Sequence, residues 1–200
     1  MFYEPRRRNH GLSHDPFKAL VAPRPIGWIS TLSKSGVPNL APYSFFNAFS
    51  ERPAIVGFCS AGMKDSPLNA QETGEFVCNI VTKADAEAMN QTSAAYPHGV
   101  NEFERAGLGM EASSLVAAPR VKGIAAALEC KLTDILPLRG LDGHPGSYIL
   151  VLGEVVGVHI DDRFLKDGRV DSLAMQQLAR LGYMEYTAVE SIFALERPVL

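Results

Sequence analysis

"VAPRPIGWIST", residues 21–31, decides how the rest of the chain is read. Two prolines bracket Arg24, the only tryptophan of the chain follows, and the run closes on Ser30 and Thr31. Proline fixes φ and has no N–H to give, so the approach to this segment is stiff and cannot pair along its whole length. The β-formers of "GWIST" nevertheless read as a strand. Inside a protein, an indole N–H and two hydroxyls need hydrogen-bond partners. Either the protein supplies them, or a ligand does.

Working outward, "IGWISTLS" (26–33), the turn residues "KSG" (34–36) and "VPNLAPYSFFN" (37–47) form an expected hairpin. A tight turn near Ser35-Gly36 sets Trp28 opposite Tyr43 and Ser30 opposite Ala41. Alternation puts Trp28 and Ser30 on one face, Ile29 and Thr31 on the other. Pro23, Pro25, Pro38 and Pro42 require edges or bulges where pairing is interrupted, which suits a barrel that opens somewhere.

Further along, "PAIVGFCS" (53–60) is a short buried strand. In "AGMKDSPLNAQETG" (61–74) the spacing predicts a helix with Ser66 as N-cap, Pro67 in its first turn and Gly74 as its stop. "EFVCNIV" (75–81) is a strand, and "TKADAEAMNQ" (82–91) a helix with a Thr82/Asp85 capping box. Residues 92–115 are a long excursion with little regular structure, the kind of loop that is usually functional or mobile. "IAAALECKLTDIL" (124–136) and "SYILVLGEVVGVHI" (147–160) are long strands, the second broken at Gly153. "DSLAMQQLARLG" (171–182) reads as a helix capped by Asp171 and stopped by Gly182, and "TAVESIFAL" (187–195) as a closing strand. About seven strands, three short helices and no βαβ alternation predict one mainly β domain over residues 1–200. Its expected form is an antiparallel barrel of Greek-key type, with residues 1–15 as a solvated arm.

Composition excludes several functions. With 46% apolar residues, 20% charged and a net charge of −3, the chain is an ordinary globule without an electrostatic footprint for nucleic acid. No apolar run approaches the ~20 residues of a membrane span. Three scattered cysteines without CxxC spacing argue against disulfides or zinc and fit a reducing cytoplasm. The five histidines form no ligand pair, so no metal is expected. A Rossmann site lacks its GxGxxG, and a hydrolase lacks its GxSxG.

Two constellations could carry chemistry. "KDSP" (64–67) puts a lysine and a serine at a helix start, where unpaired N–H groups and a partial positive charge suit a phosphate. Plain helix capping is the competing reading, and Asp65 weakens the site unless it points away or caps the turn. Ser30 and Thr31 with Ser44 and Asn47 could bind a ligand or satisfy one another across the ladder. Trp28, Tyr43, Phe45 and Phe46 are of types more often found in a core than in a cofactor wall. The grouping within residues 28–66 matches what a flat ring carrying a phosphate tail needs. Arg180 is either a solvated cation or within reach of an anionic ligand.

The stretches 16–58, 64–82, "NEFERAGL" (101–108), "LECKL" (128–132) and "LGEVVGVHI" (152–160) resemble the flavin reductase-like family with the FMN-binding split barrel. The likeness is to the branch that includes nitrilotriacetate monooxygenase reductase components. This resemblance implies a homodimer, FMN as cofactor, flavin reduction by NADH or NADPH, and a partner monooxygenase as a recipient of reduced flavin. It implies Trp28, Ile29, Ser30 and Thr31 beside the flavin, and Ser44, Phe45, Phe46 and Asn47 around its ring and ribityl chain. Ser60, Lys64, Asp65 and Ser66 then lie toward the phosphate, and the prolines stiffen the approach so that Ser30 and Thr31 present their hydroxyls to the cofactor. Where relatives carry Gly-Asp-His, this chain has Gly146, Ser147 and Tyr148, and "RLGYMEY" keeps Arg180, Gly182 and Tyr183 of a second pattern. No catalytic side chain is implied. The alternatives are a flavin carrier or sensor without NAD(P)H turnover, and a pyridoxamine-phosphate-oxidase-like FMN enzyme.

Overall fold

The computed structural model of the protein describes residues 1–199. After an exposed arm come α1 (Phe17–Leu20), β1 (Arg24–Pro25), β2 (Gly27–Leu32), β3 (Pro38–Tyr43), β4 (Phe46–Glu51) and β5 (Ala54–Ala61). Next are α2 (Asp65–Thr73), β6 (Glu75–Ile80), α3 (Ala86–Gln91), α4 (Glu102–Arg105), β7 (Met110–Glu111) and β8 (Arg120–Val121). The long strands β9 (Ala126–Arg139) and β10 (Pro145–Ile160) follow. The chain then forms β11 (Leu165–Lys166), β12 (Arg169–Val170), α5 (Ser172–Met175), β13 (Leu178–Arg180) and β14 (Tyr186–Ala188).

Seven strands make one antiparallel sheet in the order β3-β2-β6-β9-β10-β5-β4. Its two edges, β3 and β4, are consecutive in the chain and joined only by Ser44 and Phe45. A link that short spans on the order of 10 Å, so the sheet must roll up until its edges nearly meet. They do not pair with each other, and the barrel is split along that seam. Pro38 and Pro42 sit on β3, where a missing N–H costs no ladder bond on the open side.

The barrel interior is packed with Ile29, Val56, Phe58, Phe76, Cys78 and Val151, and Ala70 of α2 closes one end. Phe58 meets Phe76 edge-on at 5.6 Å and Tyr43 at 4.6 Å. A second core lies outside β2 and β6, where Trp28, Leu40 and Val77 meet Met89 of α3, Phe103 of α4 and Val121 of β8. Strand β2 is therefore buried on both faces. Trp28 and Ser30 point to the outer core and Ile29 and Thr31 to the inner side, as alternation predicts.

The polar groups of β2 find protein partners. Trp28 Nε1 donates to Thr92 Oγ1 at 2.8 Å, and Ser30 Oγ donates to the Pro119 carbonyl. Thr31 Oγ1 accepts from Asn69 of α2 at 3.0 Å and from Asn39 of β3 at 3.3 Å. Buried Asn79 of β6 donates to the Trp28 carbonyl at 2.9 Å and to Ser30 Oγ at 3.1 Å, and accepts from the Val121 N–H at 2.9 Å. Carboxylates fasten the excursion elsewhere. Glu129 accepts from the N–H groups of Ser114 and Leu115 and pairs with His159, Glu75 accepts from Ala117, and Glu102 accepts from Leu40 at 2.9 Å.

Several expectations are corrected. The hairpin register is one residue off: Gly27 faces Tyr43, Trp28 faces Pro42 and Ser30 faces Leu40. Ser33 and Val37 bracket a three-residue turn in which Gly36 takes φ +82°, so an odd loop replaces the even one expected. Helix α2 starts at Asp65 with Lys64 as its N-cap residue, and Ser66 is buried in the first turn, where its Oγ accepts from Asn39 at 2.8 Å. The helix over 171–182 shrinks to α5. Asp171 does cap it, but Gln176 turns left-handed and β13 follows, because Leu178 reaches the outer core and its strand pairs with β1 and β14. The closing strand is only Tyr186–Ala188. Strand β10 runs through Gly153 with a register shift rather than a break. The capping box at Thr82 and the Gly74 stop are as expected.

Asn79→Ala removes a side chain that holds three partners and leaves the buried Val121 N–H without an acceptor. The variant is expected to lose about 2–4 kcal/mol of unfolding free energy in a denaturant titration. A loss below about 0.5 kcal/mol would show that the spine is not under this constraint.

Candidate functional site

A cavity of about 380 Å³ opens between the start of α2, strand β3 and the beginning of the excursion. Lys64, Asp65 and Ser66 form one wall, Asn39, Ala41, Pro42 and Tyr43 the floor, and Thr92 to Tyr96 with Glu102 the other side. The walls are held by β2. Thr31 ties α2 and Asn39 together, while Trp28 fixes Thr92. Lys64 is exposed, and among the described residues no carboxylate lies within ion-pair distance of it. The N–H groups of Asp65 and Ser66 precede the first intrahelical bond, which Leu68 donates to the Lys64 carbonyl.

Asp65 lines the cavity as well, with its carboxylate engaged by the 92–99 segment. Its carboxylate accepts from the Gly99 N–H at 3.1 Å and pairs with His98 Nδ1 at 2.6 Å, fastening the far end of the 92–99 strap to α2. The bond to Asp65 and its charge hold the His98 imidazolium above the ordinary histidine range. Burial pushes the Tyr43 phenol up; the hydroxyls of Ser66 and Ser60 oppose the shift and the charges of Asp65 and Glu102 add to it. Burial likewise raises Glu102, against the bond it accepts from Leu40. The electrostatic character of the cavity is thus one exposed ammonium beside a helix start, with the nearest carboxylate already engaged.

Along the seam the cavity continues. Pro42 and Ser93 also line a small space of about 100 Å³ with Ser44, Arg180 and Tyr186. Ser44 in turn borders a groove of about 600 Å³ containing Phe45, Phe46, Asn47, Arg24 and Cys59. Pro42 is thus shared by the first two spaces and Ser44 by the second and third. The arrangement offers an anion-binding end, a polar middle and an aromatic end.

Of the residues singled out in the sequence, Lys64, Asp65 and Ser66 meet at the cavity, and Ser44, Phe45, Phe46 and Asn47 at the seam and groove. Arg180 lies between them. It donates to the Tyr186 hydroxyl and the Tyr183 carbonyl and stands 4.4 Å over the Tyr186 ring. Ser60 is buried and donates to the Gly62 carbonyl at 2.8 Å, behind Tyr43. Trp28, Ile29, Ser30 and Thr31 are fully buried and line none of these spaces. The expectation that the prolines present the Ser30 and Thr31 hydroxyls to a ligand is not met, because both faces of β2 are covered and the hydroxyls have protein partners. Sequence reading missed Asn39, Thr92, Tyr96 and Glu102 as cavity walls, and Arg24 in the groove. The length of the 92–115 excursion was the only signal for its part. Among the described residues, no group of His, Cys, Asp and Glu is placed to hold a metal ion.

Residues 20–177 match the family model of the flavin reductase like domain. An uncharacterised protein of Halalkalibacterium halodurans is 37% identical, covering 90% of this chain and 88% of that protein. Among solved structures, nitrilotriacetate monooxygenase component B from Bacillus cereus superposes with a TM-score of 0.86 at 31% identity over 98% of both chains. A Shewanella frigidimarina protein described as a flavin reductase with a split barrel domain gives 0.79 at 27% identity, over 98% of this chain and 94% of that one.

The strap latch is testable by titration. Because the folded-state pKa of His98 is raised, its pairing with Asp65 is complete at low pH and is lost as pH rises through that elevated value. Proton NMR is expected to show His98 titrating above the ordinary imidazole value of about 6.5. In Asp65→Asn it should return there, and an unshifted midpoint in both proteins would remove the latch.

Proposed function

Because the chain belongs to the flavin reductase-like family, we propose that it is an FMN-binding oxidoreductase that moves hydride from NADH or NADPH onto the flavin. The observation that carries the reading is the continuity of the seam. An ammonium and a helix start at one end and Phe45 and Phe46 at the other are joined through Pro42 and Ser44, the layout a ring with a phosphate tail requires. The residues fit the group. Lys64 and the N–H groups of Asp65 and Ser66 would hold the phosphate, in a corner where Asp65's own charge is paired with His98.

FMN, when bound there, would supply the redox chemistry of hydride acceptance and onward electron transfer. The chain does the rest by binding and orientation. Ser44 and Asn47 offer hydrogen bonds along the polar middle, Phe45 and Phe46 provide flat apolar wall, and Arg180 adds a cation beside it. Ser60 backs Tyr43, and Trp28 to Thr31 act as positioning residues through Thr92, Pro119, Asn39 and Asn69. Thr92 to Tyr96 of the strap wall the phosphate end on the side opposite α2. Hydride transfer needs no side-chain acid, so the reading asks for no catalytic residue among the cavity walls.

A homodimer belongs to the same reading. The distal part of the β9–β10 ribbon exposes Leu136, Leu138 and Tyr148, and Ile192, Phe193 and Leu195 of the C-terminal segment are 64–87% exposed. Apolar surface of this kind is covered by a two-fold partner in stable assemblies. The monooxygenase component among the similar structures supports a partner oxygenase as recipient of the electrons. Three unpaired cysteines support a reducing cytoplasm, and among the described residues no helix is long and apolar enough to cross a membrane.

Two outcomes follow. Lys64→Ala is expected to weaken FMN by roughly ten- to a hundredfold, the loss of one charge-assisted contact, while riboflavin affinity and NADH oxidation at saturating FMN barely change. Equal weakening of both flavins would make the lysine structural. Light scattering at micromolar concentration is expected to give twice 21.7 kDa, and the monomer mass would contradict the dimer.

A further inference from the structure

We propose that the groove between α1 and β4 binds an aromatic carboxylate, with Arg24 as its counter-charge and Arg180 beside it. The proposal deepens the flavin reading, on which it rests for the meaning of the ligand's position beside the aromatic end of the seam. Phe17 and Phe49 give the groove apolar wall beyond Phe45 and Phe46, against which the flavin ring is proposed to lie, and the groove's total of about 600 Å³ is shared between that ring and a small aromatic ligand.

Arg24 is the unusual member. It is only 7% exposed, and among the described residues no carboxylate lies within ion-pair distance of it or of Arg180. Its terminal nitrogens donate to the carbonyls of Lys18, Val21 and Leu181, and its Nε, also buried, has no partner. Arg180 faces it directly across the β1–β13 pair, so two like charges stand side by side. Burial, and then the charge on Arg180, both push the Arg24 guanidinium below its ordinary range. A buried cation held by carbonyl dipoles, facing a second cation and lacking a counter-ion, is the arrangement that an anion relieves. The guanidinium stands 5.7 Å from the Phe45 ring centre, which puts charge and aromatic wall within one small ligand's reach.

The rest of the lining argues against a dinucleotide in this groove. Two riboses and a pyrophosphate need many polar partners, and beyond Arg24 the groove's polar side chains are Lys18, Ser44 and Asn47, with the thiol of Cys59. One anionic group on a flat ring fits the chemistry better.

The test titrates the FMN-loaded protein with benzoate, with benzamide (the ring without the charge) and with acetate (the charge without the ring), by calorimetry and by the absorbance of the bound flavin. Benzoate is expected to bind with a dissociation constant of about a millimolar or below, and the other two at least roughly tenfold more weakly. Phe17→Ala, at a half-exposed position outside the flavin cavity, should weaken benzoate several-fold and leave FMN affinity unchanged. Arg24→Gln should abolish the preference for benzoate over benzamide, and Arg24→Lys should keep part of it. If Arg24→Gln does not fold, the wild-type comparison and Phe17→Ala decide. Equal binding of benzoate and benzamide, no binding of benzoate at about 10 mM, or unchanged benzoate affinity in Phe17→Ala overturns the proposal. So does Arg24-dependent binding of NAD⁺ without any of benzoate. A protein that fails to bind FMN overturns the flavin reading instead, and the same titrations on the flavin-free protein then still decide this one.

Discussion

A central strand buried on both faces cannot carry an indole N–H and two hydroxyls unless each is answered, and strand β2 carries all three within four residues. Leaving one such group unmet costs about 1–3 kcal/mol, a large part of the total stability of a domain this size. The partners that answer them come from elements that would otherwise be loosely attached. Thr92 and Pro119 bracket most of the long excursion, and Asn69 belongs to the helix that closes the barrel end. The same bonds that satisfy β2 thus fix both sides of the cavity. The strand builds the site from behind.

The second constraint is topological. Because Ser44 and Phe45 alone connect the two edges of the seven-stranded sheet, the seam stays open but narrow. An open seam in a barrel leaves polar and aromatic groups accessible that a closed ladder would consume. The cavity, the small space beside Arg180 and the aromatic groove all lie along it. The proposed flavin placement would make the split a functional feature, with the phosphate at a helix start and the ring toward the seam.

Much of this was legible in the residues. Alternation in "GWIST" correctly divided Trp28 and Ser30 from Ile29 and Thr31, and the prolines of "VPNLAP" correctly marked an edge strand. The grouping expected over residues 28–66 includes Lys64, Asp65 and Ser66, which the cavity brings together, and Trp28 to Thr31, which lie behind its walls. What failed did so where distant parts of the chain decide. Nothing local says that Leu178 will join a sheet and an outer core, so its helical spacing misled. Nothing near Ser30 says that Pro119, eighty-nine residues away, will accept its proton. Hydroxyls at a strand end look alike whether a ligand or a loop completes them. The excursion's role as a cavity wall likewise depended on latches made by Asp65, Glu75 and Glu129, which composition does not announce.

The claim on which the account stands is that α2 grips the cofactor while β2 holds the walls. A crystal structure of the protein grown with FMN tests it most directly. The phosphate is expected against Lys64 and the N–H groups of Asp65 and Ser66, with Trp28, Ser30 and Thr31 still bonded to Thr92, Pro119 and Asn69. A phosphate lodged instead against Arg24 and Arg180, or Ser30 and Thr31 hydroxyls released from their protein partners to touch the flavin, would contradict it.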